Sequence, residues 1–484
     1  MISYDVEMRN RRSFIQSAGL LGLLFSVKKL FPSASLKKRP PNIIVIVADD
    51  LGYNDLGCYW KDKGKKGYEK IETPHIDRLA REGIRFTDFH VTSAVCSPSR
   101  ASILTGCYPQ RVGITKVLYP HSRIGLNPSE TTIADILKGK NYHTACIGKW
   151  HLGVLPEFSP LKYGFDYFYG MPYSNDMHPS VLMRNETVIE KPVRQKELTK
   201  EYTDEAIAFI EAQHPEPFFI FLSHTMPHIP LKLDKEFKGT SERKKYGDAI
   251  VTIDHYMGKL YKTLEKHHLE DNTLIVFTSD NGPWLIMRNA GGKAYPLRGG
   301  KRTIYEGGFR VPCILHWPDV IPKNRVKNAF VTSMDLLPTI AGIVDAPLPV
   351  NRIDGKNIIS IIDSDNDESP YDAFYYYTGK RLDAVRSGSW KLVFKRKLSW
   401  DSPYRFVKDK MVSKNRDAIV PEALYNIEND ISEKKNRIKE YPEVIRKLKK
   451  LAEEARADLG DKRYGIRGEN IRKNGMRKRN KKQR

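Results

Sequence analysis

Apolar residues fall along this chain in two rhythms. Four short runs rich in β-branched and aromatic residues, Ile43–Ala48, Thr144–Ile147, Phe218–Leu222 and Leu274–Thr278, have the length and continuity of strands buried on both faces. Between them, apolar positions recur at helical spacing. Thr73-Pro74-His75-Ile76-Asp77 opens one helix, with Thr as the cap and Pro at the first helical position. Further helices are predicted over Thr132–Lys138, Thr203–Gln213, Asp248–Lys266 and Asp335–Val344. Strands alternating with helices build βαβ units, so the pattern predicts an α/β fold with a mostly parallel sheet sandwiched by helices.

Past Pro347-Leu348-Pro349 the texture changes. Strand-like pieces at Phe374–Tyr377, Ala384–Arg386, Trp390–Lys395 and Leu424–Ile427, with Gly388 among the turn residues between them, predict a small antiparallel sheet. A helix over Pro442–Leu459 would put Val444, Ile445, Leu448, Leu451 and Ala455 on one face. The expected organisation is a main domain over residues 40–346, a C-terminal antiparallel α+β subdomain over 347–459 and a basic, disordered tail over 460–484.

Charge changes the picture once it is located. The formal net charge is +23, but residues 1–39 carry +6 of it and residues 460–484 carry +9, leaving +8 for the body. No nucleic-acid-binding motif accompanies these charges, so a nucleic-acid partner is not expected. No segment approaches the roughly 20 apolar residues that span a bilayer, so no membrane span is expected. At the N-terminus, Arg11-Arg12-Ser13-Phe14-Ile15, an apolar run from Ala18 to Val27 and the small residues Ser33-Ala34-Ser35 resemble a twin-arginine export signal over residues 1–35. A periplasmic or extracellular location is the expectation. Five cysteines (58, 96, 107, 146 and 313) are too few and too odd in number for a disulfide framework.

Candidate chemistry sits just past the predicted strands, where open α/β sheets bind ligands. The first run ends in Asp49-Asp50, and Leu274–Thr278 leads to Asp280-Asn281. Thr144–Ile147 leads to Lys149 and His151, and Phe218–Leu222 to His224 and His228. Three carboxylates brought together repel one another unless a cation neutralises them. All-oxygen ligands select calcium or, less well, magnesium over zinc or copper.

The most specific run is Cys96-Ser97-Pro98-Ser99-Arg100-Ala101-Ser102-Ile103-Leu104-Thr105-Gly106. It resembles the C-x-P-x-R signature, with its A-S-x-L-T-G extension, of the formylglycine-dependent, arylsulfatase-like sulfatases of the alkaline phosphatase superfamily. Asn141 to His151 is similar to that family's second signature, with Asn141 in place of a glycine in a position where Asn tolerates a left-handed turn. Similar segments run through Pro172–Asp176, Pro227–Pro230, Gly300–Gly308 and Leu424–Asp430, so the likeness covers about residues 40 to 440.

The resemblance implies an alkaline-phosphatase-like fold and hydrolysis of sulfate esters. Cys96 would be oxidised by a separate maturation enzyme to formylglycine, whose hydrate attacks sulfur with one hydroxyl and expels sulfate with the other. Calcium would be held by Asp49, Asp50, Asp280, Asn281 and modified Cys96. Arg100 would hold the hydrate, and a helix starting after Pro98 would aim its positive end at the anion. Lys149 and Lys301 would bind sulfate oxygens, His151 would take the proton during sulfate release, and His228 would protonate the leaving oxygen. Ser174, Asn175, Asp176 and Arg302 are lower-ranked candidates for substrate contact, and His224 ranks as packing. A sulfated carbohydrate or an aryl sulfate is the expected substrate. The alternatives are a phosphonate or phosphate ester hydrolase of the same superfamily and a non-catalytic carbohydrate-binding protein.

Overall fold

The computed structural model describes residues 39–60, 69–213, 215–397, 405–407, 410–412 and 419–477. The export-signal segment lies outside the described residues. A ten-stranded sheet forms the centre of the main domain. Its strands in chain order are β1 (Asn42–Ala48), β2 (Ile84–Phe86), β3 (His143–Gly148), β4 (Tyr167–Gly170), β5 (Leu182–Arg184), β6 (Thr187–Glu190), β7 (Phe218–Ser223), β8 (Thr273–Ser279), β9 (Cys313–His316) and β10 (Arg325–Lys327). In space they run β10-β2-β9-β8-β1-β7-β3-β4-β5-β6. The middle five, β8 to β4, are parallel, and β9 and β5 turn antiparallel on either side. The predicted parallel sheet is thus the core of a wider mixed one. The flanking strands were not anticipated because they are three or four residues long and lack a continuous apolar run.

Helices α1 (Pro74–Arg81), α2 (Cys96–Thr105), α3 (Ile133–Lys138), α4 (Leu198–Gln213), α5 (Lys244–Lys266) and α6 (Leu336–Ile343) pack around this sheet. Three of them start away from the predicted positions. Helix α4 begins five residues before Thr203, because Leu198 and Tyr202 are buried and extend its apolar face. Helix α5 begins four residues before Asp248, which puts Tyr246 into the core. Helix α2 begins at Cys96 itself rather than after Pro98, since proline in a first turn lacks only an N–H that has no helical partner anyway. Gly106, in a left-handed conformation at φ 66°, closes α2.

Register positions the site. Ala48 pairs with Ser279 across β1 and β8, and Gly148 pairs with Ser223 across β3 and β7. Asp49, Asp280, Lys149 and His224 therefore leave the parallel core at the same edge, the carboxyl ends of its strands.

The C-terminal sheet is antiparallel as predicted, in the order β11 (Phe374–Thr378), β12 (Arg381–Ser387), β13 (Trp390–Val393) and β14 (Ala423–Asn426). Helix α7 (Pro442–Leu459) buries Leu448, Ala452, Ala455 and Leu459 against it. Its apolar core is continuous with Phe309, Phe330 and Met334 of the main domain. A buried ionic network lies across the same junction. Lys391 contacts Glu306 at 2.9 Å and Glu433 at 3.0 Å, His90 meets Glu306 at 3.1 Å, and Arg386 meets Asp88 at 2.6 Å. Burial raises Glu433 to about 7, with the charge of Glu306 adding to the effect. Against the cost of burial, Lys391 and His90 hold Glu306 well below the usual range.

Lys391→Met is expected to strand two buried carboxylates and cost about 3–5 kcal/mol. Denaturant unfolding should show this loss growing as pH rises past about 7. Lys391 holds Glu433 down, so without it the carboxyl, already at about 7, keeps its proton to higher pH and sheds the unpaired charge below that. An unchanged midpoint at pH 8 would contradict the role given to Lys391.

The expected disordered tail is corrected over residues 460–477. Gly475–Met476 pairs with Ile124–Gly125, Arg472 pairs with Glu130 at 2.7 Å, and Asn127 donates to the carbonyl of Lys473 at 2.9 Å. Basic composition alone suggested a solvated arm, but buried Glu130 supplies the countercharge. All five cysteines are free. Among the described residues, no helix is long and apolar enough to cross a membrane.

Candidate active site

Cys96 heads α2 and is buried against the carboxyl edge of the sheet. Its Sγ lies 3.5 Å from Lys301 Nζ, and its ligand atom clusters with carboxylate oxygens of Asp49 and Asp280 within 4.8 Å. One turn along α2, Arg100 is fully buried. It donates from Nε to Asp280 Oδ2 at 3.0 Å, from Nη1 to the carbonyl of Lys149 at 3.0 Å, and to the Ser223 hydroxyl. The guanidinium thus ties α2 to the ends of β3, β7 and β8.

Two lysines face the carboxylates. Lys149 Nζ reaches Asp49 Oδ2 at 2.5 Å and the Ser174 hydroxyl at 3.2 Å. Lys301 Nζ reaches Asp50 Oδ1 at 2.6 Å. Although burial opposes its charge, Lys149, His228, Arg100 and Lys301 hold Asp49 well below the usual carboxylate range. Burial, followed by the charge of Asp49, pushes Asp280 up to about 6. Burial also raises the Cys96 thiol above its ordinary value, although Lys149 and Lys301 pull the other way. An unmodified Cys96 is therefore a protonated thiol and not an activated thiolate.

Each carboxylate faces a cation of the chain, yet some acceptor atoms remain unmet. Asp49 Oδ1, Asp50 Oδ2 and Asn281 Oδ1 are buried without a hydrogen-bond partner. Buried acceptors of this kind are costly unless something meets them. Three of them beside a neighbouring carboxylate fit a hard divalent cation. The other acidic cluster, Asp88–His90–Glu306, differs in that its carboxylate oxygens are all met: Arg386 bonds both oxygens of Asp88, and Tyr376, Lys391 and His90 bond those of Glu306. It is a structural ionic junction.

The histidines divide by position. His151 presents Nε2 to the carbonyl of Leu118 at 2.8 Å, while its buried Nδ1 has no partner. Burial first, then Lys149, pushes it well below its ordinary value, so the imidazole is neutral and can accept a proton. His228 Nδ1 meets the carbonyl of Ile229 at 2.6 Å, and Nε2 lies 3.6 Å from Asp50 Oδ2. Burial and Lys301 lower it too. Asp50, His151 and Arg302 all have positive φ, at 64°, 63° and 69°. Such strain in non-glycine residues costs roughly 1–3 kcal/mol each and gathers at functional sites. Asn141 has φ 63°, as its place in the second signature required.

Of the lower-ranked candidates, Ser174 and Asn175 are buried at the site's wall, whereas Asp176 is exposed. Arg302 stacks over Trp284 at 5.5 Å. His224 is buried beside Tyr202 and takes no part in the cluster. Sequence reasoning missed Trp284, whose ring lies 4.8 Å from Lys301 Nζ and 5.5 Å from the His228 ring. It stands three residues beyond Asn281, so reading further past the strand end would have found it.

Known proteins share this plan. Residues 41–346 match the sulfatase family model, and residues 369–476 match the model for the C-terminal region of aryl-sulfatase. Human arylsulfatase A is 36% identical over 450 residues, 85% of this chain and 87% of that protein. The solved PsFucS1 sulfatase from Pseudoalteromonas sp. superposes with a TM-score of 0.77 at 26% identity, covering 90% of this chain and 92% of that one. Ps i-CgsB, solved in complex with k-i-k-neocarrahexaose, gives a TM-score of 0.72 at 32% identity over 86% and 92% of the two chains. With its main domain and its C-terminal region both matched, and a cysteine-headed helix set against the acidic strand ends, this chain belongs to the sulfatase family and is a sulfuric ester hydrolase of the arylsulfatase type.

Proposed function

We propose that the chain hydrolyses sulfate esters of sulfated carbohydrates, with formylglycine made from Cys96 by a separate maturation enzyme and with one calcium ion held by Asp49, Asp50, Asp280 and Asn281. The observation that carries this reading is the placement of Cys96 at the head of α2, among buried oxygens that lack partners and two lysines. The aldehyde hydrate would supply two hydroxyls on one carbon, one to attack sulfur and one to drive sulfate out. The cation would offset charge on the sulfate oxygens and ease loss of a hydroxyl proton.

The chain's own residues do the rest. Lys149 and Lys301 bring positive charge to the sulfate oxygens, and the N-terminal end of α2 adds its dipole. Arg100 locks α2 to the strand ends, which keeps position 96 at a fixed distance from Asp280. Neutral His151 is fitted to take a proton as sulfate leaves. His228, lowered by burial and Lys301, must first take up a proton, which Asp50 beside its Nε2 favours, and would then give it to the departing alcohol. Sugar alcohols leave poorly and need that proton, whereas nitrophenolate does not. His228→Ala should therefore slow sugar sulfates by about 10²–10⁴-fold and p-nitrophenyl sulfate far less. Equal losses on both substrates would remove His228 as the acid.

Turnover of sulfate, phosphate and phosphonate esters by the matured protein with calcium tests the activity. Faster phosphate or phosphonate cleavage would overturn the sulfatase reading. Export through a twin-arginine pathway belongs to the same proposal, because carbohydrate sulfates of the surroundings would be met outside the cytoplasm. A fusion reporter that fails to leave the cytoplasm would contradict it.

A further inference from the structure

Beside the reaction centre lies a cleft of about 560 Å³ that the mechanism does not use. Its size falls in the range of small-ligand sites, about 300–1,000 Å³. Five cations line it: Arg194, Lys196, Lys232, Lys238 and Lys245. Arg194 is offset by Glu190 and Glu197, and Lys196 by Glu197 and Asp234. Among the described residues, no acidic group pairs with Lys232, Lys238 or Lys245. Leu231 and Leu233 give the same cleft an apolar surface. Unpaired ammonium groups around apolar surface suit a ligand with an apolar ring face and anionic substituents.

Two routes join the cleft to the chemistry. Leu231 is three residues from His228, a span of at most about 11 Å of extended chain. Gln195, also on the cleft, donates from Nε2 to the backbone carbonyl of Asn175 at 2.8 Å and receives Asn175 Nδ2 at 3.4 Å. Next to Asn175, the Ser174 hydroxyl accepts from Lys149. Asn175 is 1% exposed, and its Oδ1 has no partner, so an acceptor stands ready for a hydroxyl between cleft and centre.

We propose that the cleft is a second anion subsite, taking a sulfated or carboxylated sugar that adjoins the one whose sulfate ester is cut. This rests on the sulfatase reading and narrows it to multiply charged oligosaccharides. An aryl sulfate carries no second anionic group for the cleft to hold, so its turnover does not depend on these lysines.

The test uses the full chain with Cys96→Ala, which binds without turnover. It is titrated with fluorescent hexasaccharides of ι-carrageenan, anionic through sulfate alone, and of heparan sulfate, anionic through sulfate and carboxylate. K232E/K238E/K245E on that background should weaken binding of at least one hexasaccharide by on the order of ten-fold or more, the combined effect of three exposed charges. Added salt should narrow the gap. The neutral version, K232Q/K238Q/K245Q, should show a smaller loss in the same direction. In matured protein with Cys96 intact, the same lysine changes should leave kcat/KM for p-nitrophenyl sulfate within about two-fold, as expected of an independent site. Unchanged hexasaccharide affinity, or a parallel fall in p-nitrophenyl sulfate turnover, overturns the subsite. Failure of the matured wild type to cut p-nitrophenyl sulfate counts against the sulfatase reading, while the binding arms still decide the cleft.

Discussion

Replacing Cys96 by alanine is expected to abolish turnover and leave the fold standing. The side chain is 3% exposed and loses a single heavy atom, a change worth about 1–2 kcal/mol at most. Helix α2 keeps its anchor, because Arg100 still bonds Asp280, the Lys149 carbonyl and Ser223. What disappears is the side chain from which the proposed nucleophile would be made. Loss of a nucleophile in a hydrolase costs on the order of 10⁶-fold in kcat. p-Nitrophenyl sulfate kinetics beside an unfolding midpoint give both numbers. Multiple turnover at a normal rate would end the mechanism.

The second large effect is expected at Asp49. Its Oδ2 meets Lys149 while its buried Oδ1 waits without a partner. Asparagine keeps the shape and an acceptor for Lys149 but removes the charge that draws a divalent ion. In the wild type, calcium at a hundred times its Kd should stabilise the fold by about 2.7 kcal/mol. Asp49→Asn should lose this shift at the same calcium concentration and lose at least about 10²-fold in kcat/KM. Calorimetry reads the metal and melting curves read the stabilisation, so neither depends on activity. An equal calcium shift in the variant would take Asp49 off the ligand set.

Much of the site was legible because strand ends are. A parallel sheet in register carries successive strand termini to one edge, so Asp49, Lys149, His224 and Asp280 could be grouped from four apolar runs alone. Cys96 and Arg100 came from a local motif, and a helix keeps residues four apart on one face. Contacts that join distant segments were not legible. Arg472 and Glu130 are separated by 342 positions, and nothing in the basic composition of the tail announces a buried acid so far away. The edge strands were equally hidden, since pairing with a neighbour, not an apolar run of their own, makes them strands. Trp284 and Gln195 escaped for a related reason. Their functional positions come from loops that fold back on Lys301 and Asn175, and neither loop has a periodic signature.

The most direct test is a mass spectrum of the peptide carrying position 96, taken from protein expressed with a maturation enzyme. An aldehyde there makes the peptide about 18 Da lighter than its cysteine form, through loss of H₂S and gain of O. That shift, appearing together with sulfatase activity, is the result expected. An unshifted cysteine peptide from fully active protein would contradict the account.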